Sequence, residues 1–355
     1  MSNIRNIRRL PDPAQLVRAV PLSDEGRARV REDRRQIRAI LAGTDPRLLV
    51  VVGPCSAWPG PAVLEFAARL RGLMGGVEDA LKLVLRLYVQ KPRTARGWTG
   101  PLNQPDPFAE PDVQAGMLYC RRLMVEAIEA GLAIADEALF THNDKGFAEL
   151  LSWIAIGARS TEDQEHRIWA SAQAAPVGMK NPTCGDVAIG ANSVVAAQHP
   201  HTTVFAGCQV ETLGNPYAHL VLRGGADGPN FRLEDLQRAR LELQKRRVDN
   251  PVLLVDASHD NCRVKGEKRP ERQIEVVREV LGDLAVHREL QTVVKGFLVE
   301  SFLLRGAQSL GSCDRASVAR GGLSITDPCL AWEETDDLLR ETAARFREIR
   351  DVRVA

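Results

Sequence analysis

Four side chains of metal-binding type stand at or near the ends of apolar runs: Cys55 in VVVGPCS, His259 in VDASHDN, Glu300 in FLVES and Asp327 in SITD. A thiolate, an imidazole and two carboxylates form a mixed donor set. Soft sulfur favours zinc, iron or copper, and carboxylates tolerate manganese. With a substrate nearby, four such ligands point to a Lewis acid that polarises a carbonyl. No second thiol stands close in sequence, which argues against a structural zinc knot. Six cations fall in matching places: Arg86, Lys91, Arg93, Arg159, Lys180 and Arg223. Aiming so many like charges at one cavity is costly unless anions neutralise them. The expected substrates are therefore strongly anionic, and phosphates suit arginine forks best. The glycines of LRGG let backbone approach a phosphate closely.

Each of these residues also has a plain reading. Cys55 could be core packing, and His259 a hydrogen-bonded structural histidine. Glu300 and Asp327 could pair with the arginines, and Lys91 and Arg93 could be a solvated charge run. Taken together, those readings require every one of these side chains to reach the same face by accident.

Such a constellation needs a scaffold that brings many strand ends to one place. Apolar β-branched runs occur at 48–52, 83–89, 132–135, 153–156, 175–179, 219–222, 252–255 and 293–299. Helical patterns separate most of them, at 62–74, 113–130, 145–151, 163–173, 186–198, 233–246 and 271–286, and a last one follows at 332–349. Continuous apolar runs of this length suit strands buried on both faces. Alternation of this kind predicts an α/β fold, a closed (β/α)8 TIM barrel, with an open doubly wound sheet as the alternative. No Gly-x-Gly-x-x-Gly follows the first strand, which disfavours the open sheet. The stretch 202–218 predicts an inserted strand or hairpin. In a barrel, the loops at the carboxyl ends of the strands build the active site. The reactive residues above fall at those ends, as do Glu137 after the third run and Asp256 after the seventh.

The remaining features set bounds. Lys plus Arg number 47 against 46 for Asp plus Glu, so the net charge of +1 offers no hint of nucleic acid. The basic N-terminus lacks a continuous apolar core, and no run approaches a membrane span, so no membrane partner is expected. Seven scattered cysteines predict reduced thiols and a cytoplasmic location. Residues 1–47 read as an N-terminal extension with a basic amphipathic helix over Ser23 to Leu41, and residues 48–350 as the catalytic barrel.

The strings RLLVVVGPCS, KPRTARGW, QPDP, ADEALF, AIGARSTEDQEHR, PVGMKNPTCGD, GNPYAHLVLRGG, VKGFLVES and SITDPCLAWEET together resemble a class I 3-deoxy-7-phosphoheptulonate synthase, in order from about residue 13 to 345. That family condenses phosphoenolpyruvate with erythrose 4-phosphate, the first step of the shikimate pathway, on a (β/α)8 barrel that requires a divalent metal. The resemblance implies that Cys55, His259, Glu300 and Asp327 hold the metal, whether Mn2+, Fe2+, Co2+ or Zn2+. It implies that Arg159, Lys180 and Arg223 hold the phosphate of phosphoenolpyruvate, and that Arg86 and Lys91 hold its carboxylate. Arg93 and Thr94 would face the aldose phosphate. Lys91, His259 and Glu137 are the candidates for proton transfer at the aldehyde. It also implies that the extension serves assembly into a homodimer or homotetramer and responds to an aromatic amino acid effector, with a plug for the barrel as the simpler role.

Four positions depart from the family pattern. Thr99 and Leu323 stand where lysines are expected, Asp260 where serine is common, and Ala206 where arginine is common. A paralogue that uses a modified aldose phosphate, a catalytically silent regulatory barrel and a metal-dependent aldolase for other phosphosugars are the alternatives.

Overall fold

The computed structural model describes residues 3–93, 96–139, 146–205, 207–311, 315–318 and 321–351. Thr94 and Ala206 lie outside the described residues. In chain order the strands are β1 (Leu48–Gly53), β2 (Leu81–Arg86), β3 (Ala133–Ala138), β4 (Trp153–Ile156), β5 (Val177–Lys180), β6 (Thr202–Phe205), β7 (Cys208–Glu211), β8 (His219–Leu222), β9 (Leu253–Asp256), β10 (Arg263–Val264), β11 (Glu267–Lys268) and β12 (Val294–Glu300). Eight of them close a parallel barrel in the order β1-β12-β9-β8-β5-β4-β3-β2. The open-sheet alternative is thereby excluded. The remaining four form two antiparallel hairpins, β6–β7 within the expected insertion and β10–β11 beyond β9.

The helices are α1 (Pro13–Ala19), α2 (Asp24–Leu41), α3 (Gly60–Met74), α4 (Val113–Glu129), α5 (Gln164–Ser171), α6 (Val187–Gln198), α7 (Leu233–Lys245), α8 (Arg272–Val286), α9 (Arg288–Val293), α10 (Arg315–Val318) and α11 (Trp332–Asp351). Strand alternation sorts the core into two layers. Leu48, Val50 and Val52 face outward onto the helices, and Leu49 and Val51 face the barrel interior. Inward alanines at 133, 135 and 155, and Gly178, leave room for the buried Trp153. A Cβ on Gly178 would stand 2.3 Å from the Trp153 ring.

One expectation changes. Where the periodicity predicts a helix over 145–151, the described residues hold a single 3-10 turn, Ala148–Leu150. The space beside it belongs to other helices. Arg34 of α2 donates to the carbonyls of Leu151 (2.8 Å) and Ala148 (2.7 Å), and Arg121 of α4 pairs with Glu149 at 2.6 Å. The extension supplies α2. Ser23 caps α2 as expected, accepting from the Gly26 amide at 2.9 Å. The far end of α2 then packs into the amino-terminal mouth of the barrel. Ile37, Ile40 and Leu41 are fully buried in one cluster with Leu49, Val84, Trp153, Leu254 and Leu298. Beside them, inward-facing Lys82 of β2 meets Asp33 of α2 at 2.6 Å. Helix α2 is thus the floor of the barrel.

Candidate active site at the carboxyl ends of the barrel strands

The same alternation that sends alanines and valines inward lower down sends charge inward at the carboxyl ends. Arg86 (β2), Glu137 (β3), Lys180 (β5), Arg223 (just past β8), Asp256 (β9) and Glu300 (β12) are all buried. Cations and anions interleave. Arg86 Nη2 lies 2.8 Å from Glu300 Oε1. Lys180 Nζ lies 3.2 Å from Asp256 Oδ2 and 3.8 Å from Glu137 Oε2. Buried charges survive because each is paired; removing one partner would strand the other.

At the end of β1, Gly53 takes a φ of +154°, and a Cβ there would press on the Arg86 carbonyl at 2.8 Å. Pro54 and Cys55 follow, and the Cys55 thiol is completely buried. Its sulfur is ringed by donors: Lys91 Nζ at 3.1 Å and the Asp327 amide at 3.4 Å. Burial pushes the Cys55 thiol up, helped by Glu300 and opposed by Lys91. Sulfur with two donors aimed at it is arranged for a thiolate that a bound cation would stabilise.

Ligand atoms of Cys55, Glu300 and Asp327 lie within 4.8 Å of one another. His259 stands beside this trio, its Nε2 3.9 Å from Glu300 Oε1 and its Nδ1 2.8 Å from Asp256 Oδ2. It sits at a φ of 53°, uncommon for a residue with a side chain. Burial, with Lys180 next to it, holds the His259 imidazole well below its usual range and so neutral. Burial opposes ionisation of Glu300, but Arg86, with Lys268, holds its carboxyl well below the usual range. Ser258 Oγ donates to Glu300 Oε2 at 2.6 Å, and Oε1 faces the Arg86 guanidinium. A neutral imidazole, an ionised carboxylate and a guarded sulfur fit a divalent metal.

Above this centre opens a cavity of about 870 Å³. Lys91, Arg93, Glu137, Arg159, Lys180, Arg223, His259 and Asp327 all line it. Arg93 and Arg159 are exposed at its lip. Arg86 is not in the lining. It lies one layer lower, 1% exposed, its guanidinium 3.7 Å from the ring centroid of buried Tyr88. Cys55 and Glu300 also lie beneath the lining. Lys91 remains positively charged: burial works against its ammonium, and Cys55 and Glu300 more than restore it.

The loop bearing Arg223 is set by three buried asparagines. Asn181 Oδ1 accepts from the Arg223 amide at 2.9 Å, and its Nδ2 donates to the Gly224 carbonyl at 2.9 Å. Asn230 Oδ1 accepts from the Gly224 amide at 2.7 Å, and Asn261 Oδ1 accepts from the Asn230 amide at 2.8 Å. Gly224 adopts a φ of +75°, the left-handed region that a side chain rarely takes.

Sequence reasoning passed over several participants. Lys268, on β11, lines the cavity and lies 2.5 Å from Asp327. Its only signal was the turn-like RVKGEK, which looks like a solvated loop. Asp256 bridges Lys180 and His259 and was noted only as a strand end. Thr99 and Leu323, two of the departures from the family pattern, are not in the cavity lining; Asp260 is.

Fold and site define a barrel enzyme with a ring of paired charges beneath a cation-lined pocket. The family model described as the DAHP synthetase I family matches residues 23–340. The chain is 39% identical over 339 residues to the Tyr-sensitive phospho-2-dehydro-3-deoxyheptonate aldolase of Escherichia coli strain K12, covering 94% of this chain and 92% of that protein. It is 38% identical over 352 residues to the phospho-2-dehydro-3-deoxyheptonate aldolase of Corynebacterium glutamicum, covering 96% and 93%. The solved structure of phospho-2-dehydro-3-deoxyheptonate aldolase from Francisella tularensis SCHU S4 superposes with a TM-score of 0.90 at 32% identity, over 97% of this chain and 99% of that one. The chain belongs to the DAHP synthetase I family. Among the described residues, no helix is long and apolar enough to cross a membrane.

Proposed function

We propose that this chain joins phosphoenolpyruvate to erythrose 4-phosphate, forming 3-deoxy-D-arabino-heptulosonate 7-phosphate and inorganic phosphate, the first step of the shikimate pathway. The observation that carries this reading is the ring of paired charges beneath a cation-lined cavity, in a chain whose relatives are named for that aldolase. Cys55, His259, Glu300 and Asp327 would hold a divalent metal. When bound, it would supply Lewis-acid polarisation of the aldehyde.

The chain's own residues do the rest. Arg159, Lys180 and Arg223 grip the phosphate of phosphoenolpyruvate. Lys91 reaches its carboxylate, and Arg86 adds positive charge from the layer below. Arg93 binds the phosphate of the aldose, and Thr94 is assigned to the same group from the KPRT motif alone. Held this way, the methylene carbon of phosphoenolpyruvate attacks the aldehyde carbon. Positive charge develops on the enol ether carbon and is met by water. The resulting hemiketal loses phosphate by C–O cleavage. Of Lys91, His259 and Glu137, we assign proton donation to the aldehyde oxygen to Lys91. Its ammonium is retained at the site, whereas the imidazole of His259 is neutral.

The same reading includes a cytoplasmic homodimer or homotetramer under feedback by an aromatic amino acid. Two E. coli relatives are named Tyr-sensitive and Trp-sensitive. Exposed Ile4, Ile7, Val204 and Leu213, on the extension and around β6–β7, give such an assembly apolar surface to bury.

Phosphate release from phosphoenolpyruvate, measured with and without erythrose 4-phosphate, tests the function. Release only with the aldose is expected; release without it, or none with it, refutes the reading. Arg159→Ala and Lys180→Ala should each raise KM for phosphoenolpyruvate, a loss of about 2–4 kcal/mol in kcat/KM. An unchanged phosphoenolpyruvate dependence in both would refute the phosphate assignment.

A further inference from the structure

Asp260 departs from the family pattern and takes no part in the chemistry above. Its carboxylate lies in the cavity wall between two arginines. Oδ2 accepts from Nη1 of Arg223, and Oδ1 accepts from Nε of Arg263 at the start of β10. The Asp260 amide also donates to the Arg223 carbonyl at 3.1 Å. Close approach is built into the backbone here: a Cβ on Gly224 would stand 2.8 Å from that of Asp260. The side chains of Arg223 and Asp260 are only 9% and 13% exposed, so their contact is largely shielded from water. Arg223 Nε is buried without a hydrogen-bond partner, and one Nη is already taken by Asp260.

We propose that Asp260 is a resident anion that sets the affinity of the phosphate site, loosening the grip of Arg223 so that inorganic phosphate leaves readily. The inference rests on the assignment of Arg223 to phosphate binding. A phosphate drawn to Arg223 carries the same sign of charge as Asp260, and the two share one guanidinium. In a shielded wall, like charges a few ångströms apart interact several times more strongly than in water. Arg263 is the counterweight. Its side chain is 45% exposed, so solvent limits how far it offsets Asp260. With serine at this position, the whole fork of Arg223 would be free for phosphate. Asp260 therefore weakens binding of substrate and product phosphate together, which favours turnover when substrate is plentiful and product release is slow.

Inorganic phosphate binding to the Mn2+-loaded full chain, followed by titration calorimetry, tests this. The parent is compared with Asp260→Ser, Asp260→Asn, Arg263→Gln, Asp260→Ser/Arg263→Gln and Arg223→Gln. Both Asp260 variants should bind phosphate about tenfold more tightly. Arg263→Gln should weaken binding in the parent and change it by less than about twofold once Asp260 is gone, because the two act through one contact. Mn2+ affinity, read by electron paramagnetic resonance, should stay at the parental value in both Asp260 variants. Unchanged or weaker phosphate binding in both, alongside weaker binding in Arg223→Gln, overturns this proposal alone. Phosphate binding untouched by Arg223→Gln overturns the phosphate assignment and this proposal with it. Lost Mn2+ affinity without tighter phosphate binding also overturns it, since Asp260 would then serve only to support neighbouring His259.

Discussion

Replacing Asp136 with asparagine should reverse the sign of its effect on stability between acid and alkaline solution. Asp136 is buried on β3, and its Oδ1 accepts from the amides of Val89 (3.1 Å) and Glu137 (2.8 Å). It thereby ties the chain leading to Lys91 to the strand that bears Glu137. Burial is the main force on its carboxyl. The two amides favour the ionised form without prevailing, and the pKa is pushed up from 3.8 to about 7. The native state thus keeps a proton that the unfolded chain gives up near pH 4. Below that pH both states are protonated and nothing is lost. From about pH 4 to 7 stability falls as pH rises, and above 7 the loss is complete. About 3 units at roughly 1.36 kcal/mol each make ~4 kcal/mol. Asparagine keeps an oxygen for both amides and never ionises, but burying its NH2 group costs about 1–3 kcal/mol. Asp136→Asn should therefore be more stable than the parent by about 1–3 kcal/mol at pH 8, and less stable by a similar amount at pH 4. Thermal and urea unfolding of both proteins at the two pH values, with chelator present throughout, measures this. A difference of the same sign and size at both pH values would refute the reasoning.

Three further outcomes are expected. Cys55→Ser should keep the fold by circular dichroism but lose most Mn2+ affinity and turnover, and bound metal should protect the parental thiol from alkylation; a serine variant that binds metal like the parent would make Cys55 mere packing. Lys82→Met leaves Asp33 buried without its partner, so it should cost about 3–5 kcal/mol in urea unfolding, and adding Asp33→Leu should recover most of that; no recovery would mean that the ion pair is not the source of the loss. Ile37→Ala should cost about 2–5 kcal/mol, because the side chain is fully buried in the barrel floor; a change below about 0.5 kcal/mol would show that α2 does not close the barrel in solution.

The barrel was legible from the chain alone because its strands are buried on both faces. Such strands read as unbroken apolar runs, and the structure places barrel strands at all eight, including 48–53, 153–156, 219–222 and 294–300. The rule that parallel strands present their carboxyl ends to the active site then selected Lys91, Glu137, Lys180, Arg223, His259 and Asp327, which share one cavity. The missing third helix was not legible. Its periodicity is local, whereas its loss depends on α2 and α4 already holding that ground through Arg34 and Arg121.

What the sequence by itself determined is the kind of protein: which elements form, in what order, and which reactive side chains reach the open end of the barrel. Burial and alternation are properties of a single segment, and neighbours along the chain suffice to express them. Only tertiary closure decided who partners whom. It put Arg86 under the cavity against Glu300 and Tyr88, set Lys268 from a small hairpin on Asp327, and drove Ile37, Ile40 and Leu41 into the floor. Those pairings join segments up to hundreds of residues apart, and the strength of each depends on the shielding that exists only once the barrel has closed.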